Sequence, residues 1–349
     1  MTNKDPALKS ELVIGTRNSK LAVVQAERVS QALADAHPQI KFPWQPIVVR
    51  GDADKTTPFL KFGGPSDAAK NIWTEEMETK LYAGELDLLV HCLKDMPTNL
   101  PSKCILGAIV HREDPTDALV IKDSLREQYT DLAQLPRGAV VGTSSTRRKA
   151  LIKSKYPYLI VEECRGNLDT RLRKLDDLEG PYSAIIVATA GLNRINLSHR
   201  ITKTLSASEF PYAVGQGALG IEVRADESST LGVVRKIEEL PTRWICLAER
   251  AMLRTLQGGC SSPVAVNCII ENQGEIPEAG LRLRLEGTII HPHGLSKVSA
   301  SAVLNVSSDT EAEALGATVA KRLEDNGGRT LLNEINILQK NALEKATGA

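Results

Sequence analysis

The chain has 349 residues, of which 42% are hydrophobic and 25% charged, and its 43 basic side chains balance 43 acidic ones. This length allows roughly two or three domains, and zero net charge excludes a global field that would favour nucleic acid or an anionic membrane. The six cysteines form no Cys-x-x-Cys pair and no apolar run could span a bilayer or form a signal peptide, so we expect free thiols, no zinc site and a cytoplasmic protein.

The first part of the chain alternates strands and helices. A short buried strand at 12–16 leads through Arg17 and Ser19 into a helix with an apolar face of alanine, valine and leucine. Further strands are predicted at 47–49 and 86–91, and a helix between them at 72–82. This alternation predicts a parallel α/β sheet whose ligands lie beyond the carboxyl ends of the strands, where Asp95 falls. An ordinary turn aspartate ahead of a proline is the alternative for Asp95.

The same strand–helix unit returns near residue 140. Val140 and Val141 predict a strand end, Gly142 a turn, and the hydroxyls at Thr143, Ser144 and Ser145 a helix start. Free N–H groups there favour an anion, and Arg147 and Arg148 in the first turn are expected to face one. A capped helix with two solvated arginines is the alternative. The match to residues 14–22 indicates two similar lobes headed by one repeated unit.

Positive charge is concentrated in the second lobe. Residues 143–174 carry nine basic side chains against three acidic ones. Arg165 and Arg171 are either surface charges or, as we prefer, part of a lined cleft. The glycine-rich segment 213–223 has no helix directly after it, so it predicts a crossover into the first lobe rather than a dinucleotide site.

The character of the chain changes after Pro241. A helix at 243–256 is followed by Gly258-Gly259-Cys260, then by strands at 264–270, 281–290 and 297–306 and an amphipathic helix that ends near Gly327. This pattern predicts a small α+β domain. The thiol of Cys260 lies in open backbone, where a bulky group could attach, although an inert loop cysteine is the alternative.

Several ordered blocks together resemble the porphobilinogen deaminase family from about residue 12 to the end of the third domain. They are Gly15–Ser19, His91–Pro97, Arg112–Pro115, Val141–Arg148, Arg165–Asn167 with Thr170-Arg171, Ala213–Ala218, and Glu249–Ala251 leading to Gly258–Cys260. The resemblance implies two similar doubly wound α/β lobes, like those of periplasmic binding proteins, and a small C-terminal α+β domain with a three-stranded sheet. The implied domain limits are 1–113 with 216–238, 114–215, and 239–349.

The resemblance also implies an activity. The family joins four porphobilinogen molecules head to tail, releases ammonia each time, and frees the linear hydroxymethylbilane by hydrolysis. It implies a dipyrromethane cofactor held by a thioether to Cys260, a catalytic Asp95, no metal, and a monomer whose partner is the small substrate. The implied binding residues are Arg17, Ser19, Lys70, Lys94, Thr143, Ser144, Ser145, Arg147, Arg148, Arg165, Gly166, Asn167, Arg171 and Gln216.

The chemistry suits these residue types. The acetate and propionate groups of a growing pyrrole chain need a row of fixed cations. A carboxylate at Asp95 would hold pyrrole N–H groups and stabilise the azafulvenium cation that forms when ammonia leaves. This sequence departs from the family in two places: Cys92 stands where serine is usual, and the loop before Glu75 has extra residues, with Glu75 replacing a lysine.

Two other classes of protein remain as rivals. A two-lobed binder of small anions would share the lobes and the cleft, but it would lack the third domain and its Gly-Gly-Cys260. A thiol enzyme centred on Cys260 would need a histidine placed to activate it.

Overall fold

A computed structural model describes residues 9–49, 74–257, 262–271 and 280–347. In the first lobe, five described strands form a sheet of order β2-β1-β3-β10-β4. Its elements are β1 (Ile14–Arg17), α1 (Lys20–Ala36), β2 (Trp44–Ile47), α2 (Glu75–Tyr82), β3 (Leu88–Cys92), β4 (Cys104–Ile109), β10 (Leu219–Arg224) and α6 (Ser228–Val234). A turn of 3-10 helix, Leu93–Asp95, follows β3. The core of this lobe packs α1 through Ala26, Val29 and Leu33 against the sheet, as the apolar pattern predicts.

The second lobe repeats this plan. Its five described strands have the order β7-β6-β8-β5-β9. Its elements are β5 (Asp117–Ile121), β6 (Val140–Gly142), α3 (Thr146–Lys155), β7 (Ile160–Glu162), α4 (Leu168–Asp176), β8 (Ala184–Ala188), α5 (Thr189–Arg194) and β9 (Lys203–Leu205). The predicted use of one strand–helix unit twice is confirmed, because β1–α1 and β6–α3 hold the same place in the two sheets.

The predicted parallel α/β sheet is present in each lobe, with one antiparallel strand that was not predicted. β1, β2 and β3 pair in parallel, but β10 runs antiparallel to both β3 and β4. In the second lobe β5 runs antiparallel to β8 and β9. The chain leaves the first sheet at the carboxyl end of β4 and returns at that same end to start β10 between β3 and β4, so β10 runs antiparallel to both. The predicted crossover after residue 213 is therefore confirmed.

Element boundaries differ from the predictions mainly at edges. The second strand covers Trp44–Ile47 rather than 47–49, and its Pro46 is tolerated because β2 is an edge strand. The predicted helix at 72–82 begins at Glu75 within the described residues. Gly84 ends it with a φ of +75°, a conformation that suits glycine.

The third domain has an antiparallel sheet of order β11-β12-β13, covered by helices. Its elements are α7 (Leu240–Thr255), β11 (Val264–Ile270), β12 (Leu281–Ile290), β13 (Lys297–Val306), α8 (Asp309–Leu323) and α9 (Arg329–Thr347). The three strands have the predicted bounds, whereas α7 starts three residues earlier than predicted. The helix α9 was not predicted, although Leu331, Leu332 and Ile335 pack into the core of this domain.

The third domain also packs on the second lobe. Ala265 and Ile290 belong to the same buried cluster as Leu151 and Ile152 of α3. Gly294, in the turn after β12, lies so close to α3 that an added Cβ would come within 2.4 Å of the Ser154 amide nitrogen. The helix that carries Arg147 and Arg148 is thus held from behind by the third domain.

Candidate functional site

A cleft of about 510 Å³ lies where the carboxyl ends of the parallel strands of both lobes meet. It brings together most of the residues that the sequence predicts, namely Arg17, Ser19, Lys94, Asp95, Ser144, Ser145, Arg147, Arg148, Arg165, Gly166, Asn167, Arg171 and Gln216. Thr143 does not line this cleft. Lys70 and Cys260 lie outside the residues that the structure describes.

Two helix starts face the cleft through their capping serines. The Ser19 hydroxyl accepts a hydrogen bond from the Ala22 amide at 3.3 Å, and the Ser145 hydroxyl accepts one from the Arg148 amide at 3.4 Å. Thr143 is buried, and its hydroxyl accepts from the Ser145 amide at 3.2 Å, so it shapes the turn rather than the cleft wall. The first N–H groups of α1 and α3 therefore supply positive potential from both lobes.

Arg147 and Arg148 meet a carboxylate inside the protein. The prediction that they face an anion is right, but the first such anion is Asp117, which is fully buried. Arg148 donates to Asp117 Oδ1 at 2.7 Å, and Arg147 Nη2 lies 2.8 Å from Oδ2. Burial opposes ionisation of Asp117, yet the two guanidiniums outweigh it and hold the pKa of this carboxyl well below its usual range. The alternative of two solvated arginines is wrong, because both are about 95% buried.

Asp95 is half-buried at the end of β3, on the 3-10 turn that forms part of the cleft wall. Beside it, burial lowers the pKa of Lys94. The Asp95 carboxylate raises this pKa, and the Arg148 guanidinium lowers it further. Arg171 donates to the Gly166 carbonyl at 2.7 Å, and burial and Arg148 lower its pKa. This electrostatic coupling joins Asp95 of the first lobe to cations of both lobes.

Several lining residues were not predicted from the sequence, among them Arg194, Gln25 and His91. Arg194, at the end of α5, is 4% exposed and donates to the Gly217 carbonyl at 2.6 Å. A signal for it exists in the sequence, because the segment 188–192 lies at the end of strand β8 as Lys94-Asp95 lies at the end of β3, and Arg194 lies two residues after that segment. Gln25 lines the cleft with its amide 3.2 Å from the sulfur of Cys92, the position where the family usually has serine. His91 also lines the cleft, and its Nε2 lies 2.9 Å from the Glu222 carboxylate.

The two segments that cross between the lobes meet the third domain beside this cleft. Arg112 donates through both terminal nitrogens to the buried Glu249 carboxylate of α7, at 2.8 and 3.1 Å. The same carboxylate accepts from the Gly215 amide at 2.8 Å, and Arg112 Nε donates to the Gln216 carbonyl. One ion pair therefore joins the outgoing segment, the returning segment and the third domain.

Comparison with known proteins identifies the family. Residues 12–232 match the family model described as porphobilinogen deaminase, dipyromethane cofactor binding domain, and residues 244–325 match porphobilinogen deaminase, C-terminal domain. The chain belongs to the porphobilinogen deaminase family. The family is one of transferases also named hydroxymethylbilane synthases, and its principal domain binds a dipyrromethane cofactor.

Curated relatives cover nearly all of the chain. The porphobilinogen deaminase of Yarrowia lipolytica is 42% identical over 332 residues, 94% of each chain. The Saccharomyces cerevisiae enzyme is 40% identical over 93% of this chain and 97% of its own length. The Synechococcus elongatus enzyme is 41% identical over 92% of this chain and 94% of its own length. Among solved structures, the Bordetella pertussis BvgS periplasmic VFT2 domain aligns with a TM-score of 0.37 and 13% identity over 65% of this chain and 86% of that one. The prediction of two α/β lobes with a small three-stranded domain is confirmed by the strand orders above.

Among the described residues, no helix has the length and apolar character needed to cross a bilayer.

Proposed function

We propose that this chain joins four porphobilinogen molecules head to tail in the cleft, releases one ammonia for each, and frees hydroxymethylbilane by hydrolysis. The observation that carries the proposal is the half-buried Asp95 on the wall of a cleft lined with guanidiniums from both lobes. Fixed guanidiniums suit a substrate that gains carboxylates as it lengthens. A carboxylate suits a reaction in which positive charge develops on carbon.

The residues divide into three roles. Arg17, Arg165, Arg171 and the pair on α3 bind and orient carboxylates, with Ser19, Ser144, Ser145, Asn167 and the Gly166 backbone as further hydrogen-bonding groups. Asp95 holds pyrrole N–H groups and stabilises the positive charge that appears on the substrate methylene as ammonia leaves. Lys94 and Gln216 position the substrate, and the proposed Lys70 lies outside the described residues.

The cleft fits the dipyrromethane cofactor that the family implies. Its basic side chains outnumber its carboxylates, as a ligand with several carboxylates requires. Arg147 Nε and Gln216 Oε1 are buried and have no hydrogen-bond partner within the described residues, which leaves a donor and an acceptor unused. When bound, the cofactor would supply the pyrrole carbon to which the first substrate is joined.

The test of Asp95 is its replacement by asparagine, which keeps the shape and removes the charge. We expect Asp95→Asn to bind porphobilinogen and to lose turnover by about 100-fold to 10,000-fold. Asp169→Asn makes the same change at an exposed position of the same cleft and should stay within about threefold of the parent. Near-normal turnover in Asp95→Asn would remove this carboxylate from the mechanism.

The proposed tether is tested by intact mass. A dipyrrole adduct should be present on the parent chain and absent from Cys260→Ser. Cys92→Ser is the matched control, because Cys92 is a thiol that lines the cleft, and it should keep the adduct. If the parent chain were inactive and carried no adduct even after incubation with porphobilinogen, the result would instead support an anion-binding protein.

A cytoplasmic monomer is also proposed. Cys92, Cys104, Cys164, Cys246 and Cys268 are free thiols, as a reducing compartment favours. Light scattering of the purified chain and fractionation of the cells that make it test the two parts separately.

A further inference from the structure

The arginine pair on α3 is organised by a residue that sequence patterns did not single out. Asp117, the first residue of β5, is fully buried. Its Oδ1 accepts from Arg148 Nε at 3.1 Å and from Arg148 Nη2 at 2.7 Å, while its Oδ2 lies 2.8 Å from Arg147 Nη2. One carboxylate thus fixes the orientation of both guanidiniums.

Asp117 also ties the arginines to both segments that cross between the lobes. It begins β5 directly after the outgoing segment. From the returning segment, Gln216 Nε2 donates to Asp117 Oδ1 at 2.8 Å and to the Pro115 carbonyl at 2.7 Å. One further nitrogen of each arginine is anchored on backbone, since Arg148 Nη1 donates to the Ile186 carbonyl and Arg147 Nη1 to the Pro211 carbonyl. Arg148 cannot turn without breaking three buried hydrogen bonds, and Arg147 cannot turn without losing its bond to the Pro211 carbonyl and its ion pair with Asp117.

The charge of this cluster follows from its members. Two guanidiniums and one carboxylate leave a single net positive charge at the start of α3. Without Asp117, two adjacent buried cations would repel each other and lack a counter-ion, a costly arrangement that only rotation or water entry relieves. The carboxylate therefore sets both the direction and the strength of the positive field that reaches the cleft.

We infer that Asp117 is a positioning residue for carboxylate binding, which acts through Arg147 and Arg148 and never touches the substrate. This inference rests on the proposed function, because the ligand it serves is a pyrrole that carries carboxylates. Since Asp117 acts on binding and not on the charge that Asp95 stabilises, its loss should appear in KM rather than in kcat.

The experiment is Asp117→Asn in the cofactor-loaded enzyme, with loading checked by intact mass. We expect KM for porphobilinogen to rise about 10-fold to 100-fold, with kcat within about threefold of the parent and an unchanged pH profile of kcat. Asp176→Asn is the matched control, because Asp176 also pairs with two nitrogens of an arginine, Arg200, in the same lobe but does not line the cleft. It should keep the parent KM.

A second variant guards against misfolding and separates orientation from net charge. Asp117→Asn combined with Arg147→Gln restores the net charge of +1 and removes the repulsion between two adjacent buried cations, so it should fold. Because Arg147 is itself a binding residue, the comparison is with Arg147→Gln alone: we expect the double variant to have the higher KM although its cluster is the more positive one. A parent KM in either variant, or a lost kcat with unchanged KM in the single one, would overturn the inference. An inactive parent enzyme would instead refute the proposed function itself.

Discussion

Removal of the Arg112 guanidinium is a sharp test of how the three domains are held together. Arg112→Met keeps much of the apolar stem but leaves Glu249, whose side chain is fully buried, without its cation. Burial disfavours the charge on Arg112, yet Glu249 outweighs it and raises the pKa of Arg112 above its usual value. The ring of Tyr212, 5.0 Å from the guanidinium carbon, loses its cation as well.

The size of the effect follows from what remains. Glu249 would keep only the Gly215 amide of the three donors described above, and an uncompensated buried charge costs about 3–5 kcal/mol. A loss of 1 kcal/mol lowers the Tm of a mid-sized protein by about 2–4 °C. The single substitution should therefore lower the Tm by on the order of 10 °C.

Differential scanning calorimetry provides the measurement. Arg200→Met is the control, because Arg200 also makes a two-nitrogen pair, with Asp176, but near the surface, where about 1 kcal/mol or less is expected. Glu249→Gln added to Arg112→Met removes the stranded charge and should recover much of the lost Tm. If Arg112→Met were no less stable than Arg200→Met, or if the double variant were additive, the buried ion pair would not be what joins the domains.

Two further predictions concern packing and pH. An added Cβ at Gly316 of α8 would lie 2.1 Å from the Ala248 carbonyl oxygen, so Gly316→Ala should lower the free energy of unfolding by about 2 kcal/mol in a urea titration. Gly232→Ala is the control, because an added Cβ there meets no described atom within 4 Å; it should be neutral or slightly stabilising. Burial, together with the Glu222 carboxylate, raises the pKa of Glu78 above 4.5. The folded chain therefore holds the proton of the Glu78 carboxyl more tightly than the unfolded chain does. As pH rises from 4.5 through the raised pKa, Glu78 lowers the free energy of unfolding increasingly. Glu78→Gln should therefore have a higher Tm than the parent at pH 8 and converge on it as pH falls toward 4.5, and a constant offset across this range would contradict the assignment.

Much of the fold was predictable because local sequence patterns determine its helices and strands. The alternation of apolar residues fixes the three strands of the third domain, and the hydroxyl-rich turns at Ser19 and Ser145 mark two helix starts that the structure confirms. The direction of β10 was not predictable from such patterns. It depends on the end of the strands at which a distant segment re-enters the first sheet, which no short stretch of sequence determines.

The residues of the cleft were predictable to a similar degree. The prediction missed some of them for a related reason. Charged residues at strand ends and helix starts, such as Arg147 and Arg171, carry a local signal. Asp117, Glu249 and Glu222 carry none, since each is recognisable only beside a partner 30 or more residues away in the chain. In the sequence they resemble ordinary strand or helix residues.

These three hidden carboxylates explain how a chain with no net charge builds an anion site. Each is fully buried: Asp117 lies beside the arginine pair, Glu249 beside Arg112, and Glu222 within 2.9 Å of the His91 ring. Asp117 and Glu249 hold the guanidiniums beside them in place and, being buried, do not meet an incoming ligand. Asp95 differs because it is half-buried on the cleft wall itself. The depth of burial therefore separates carboxylates that fix cations from the one that contacts the substrate. Replacing a buried carboxylate by its amide should disturb binding or stability, whereas the same replacement at Asp95 should disturb turnover.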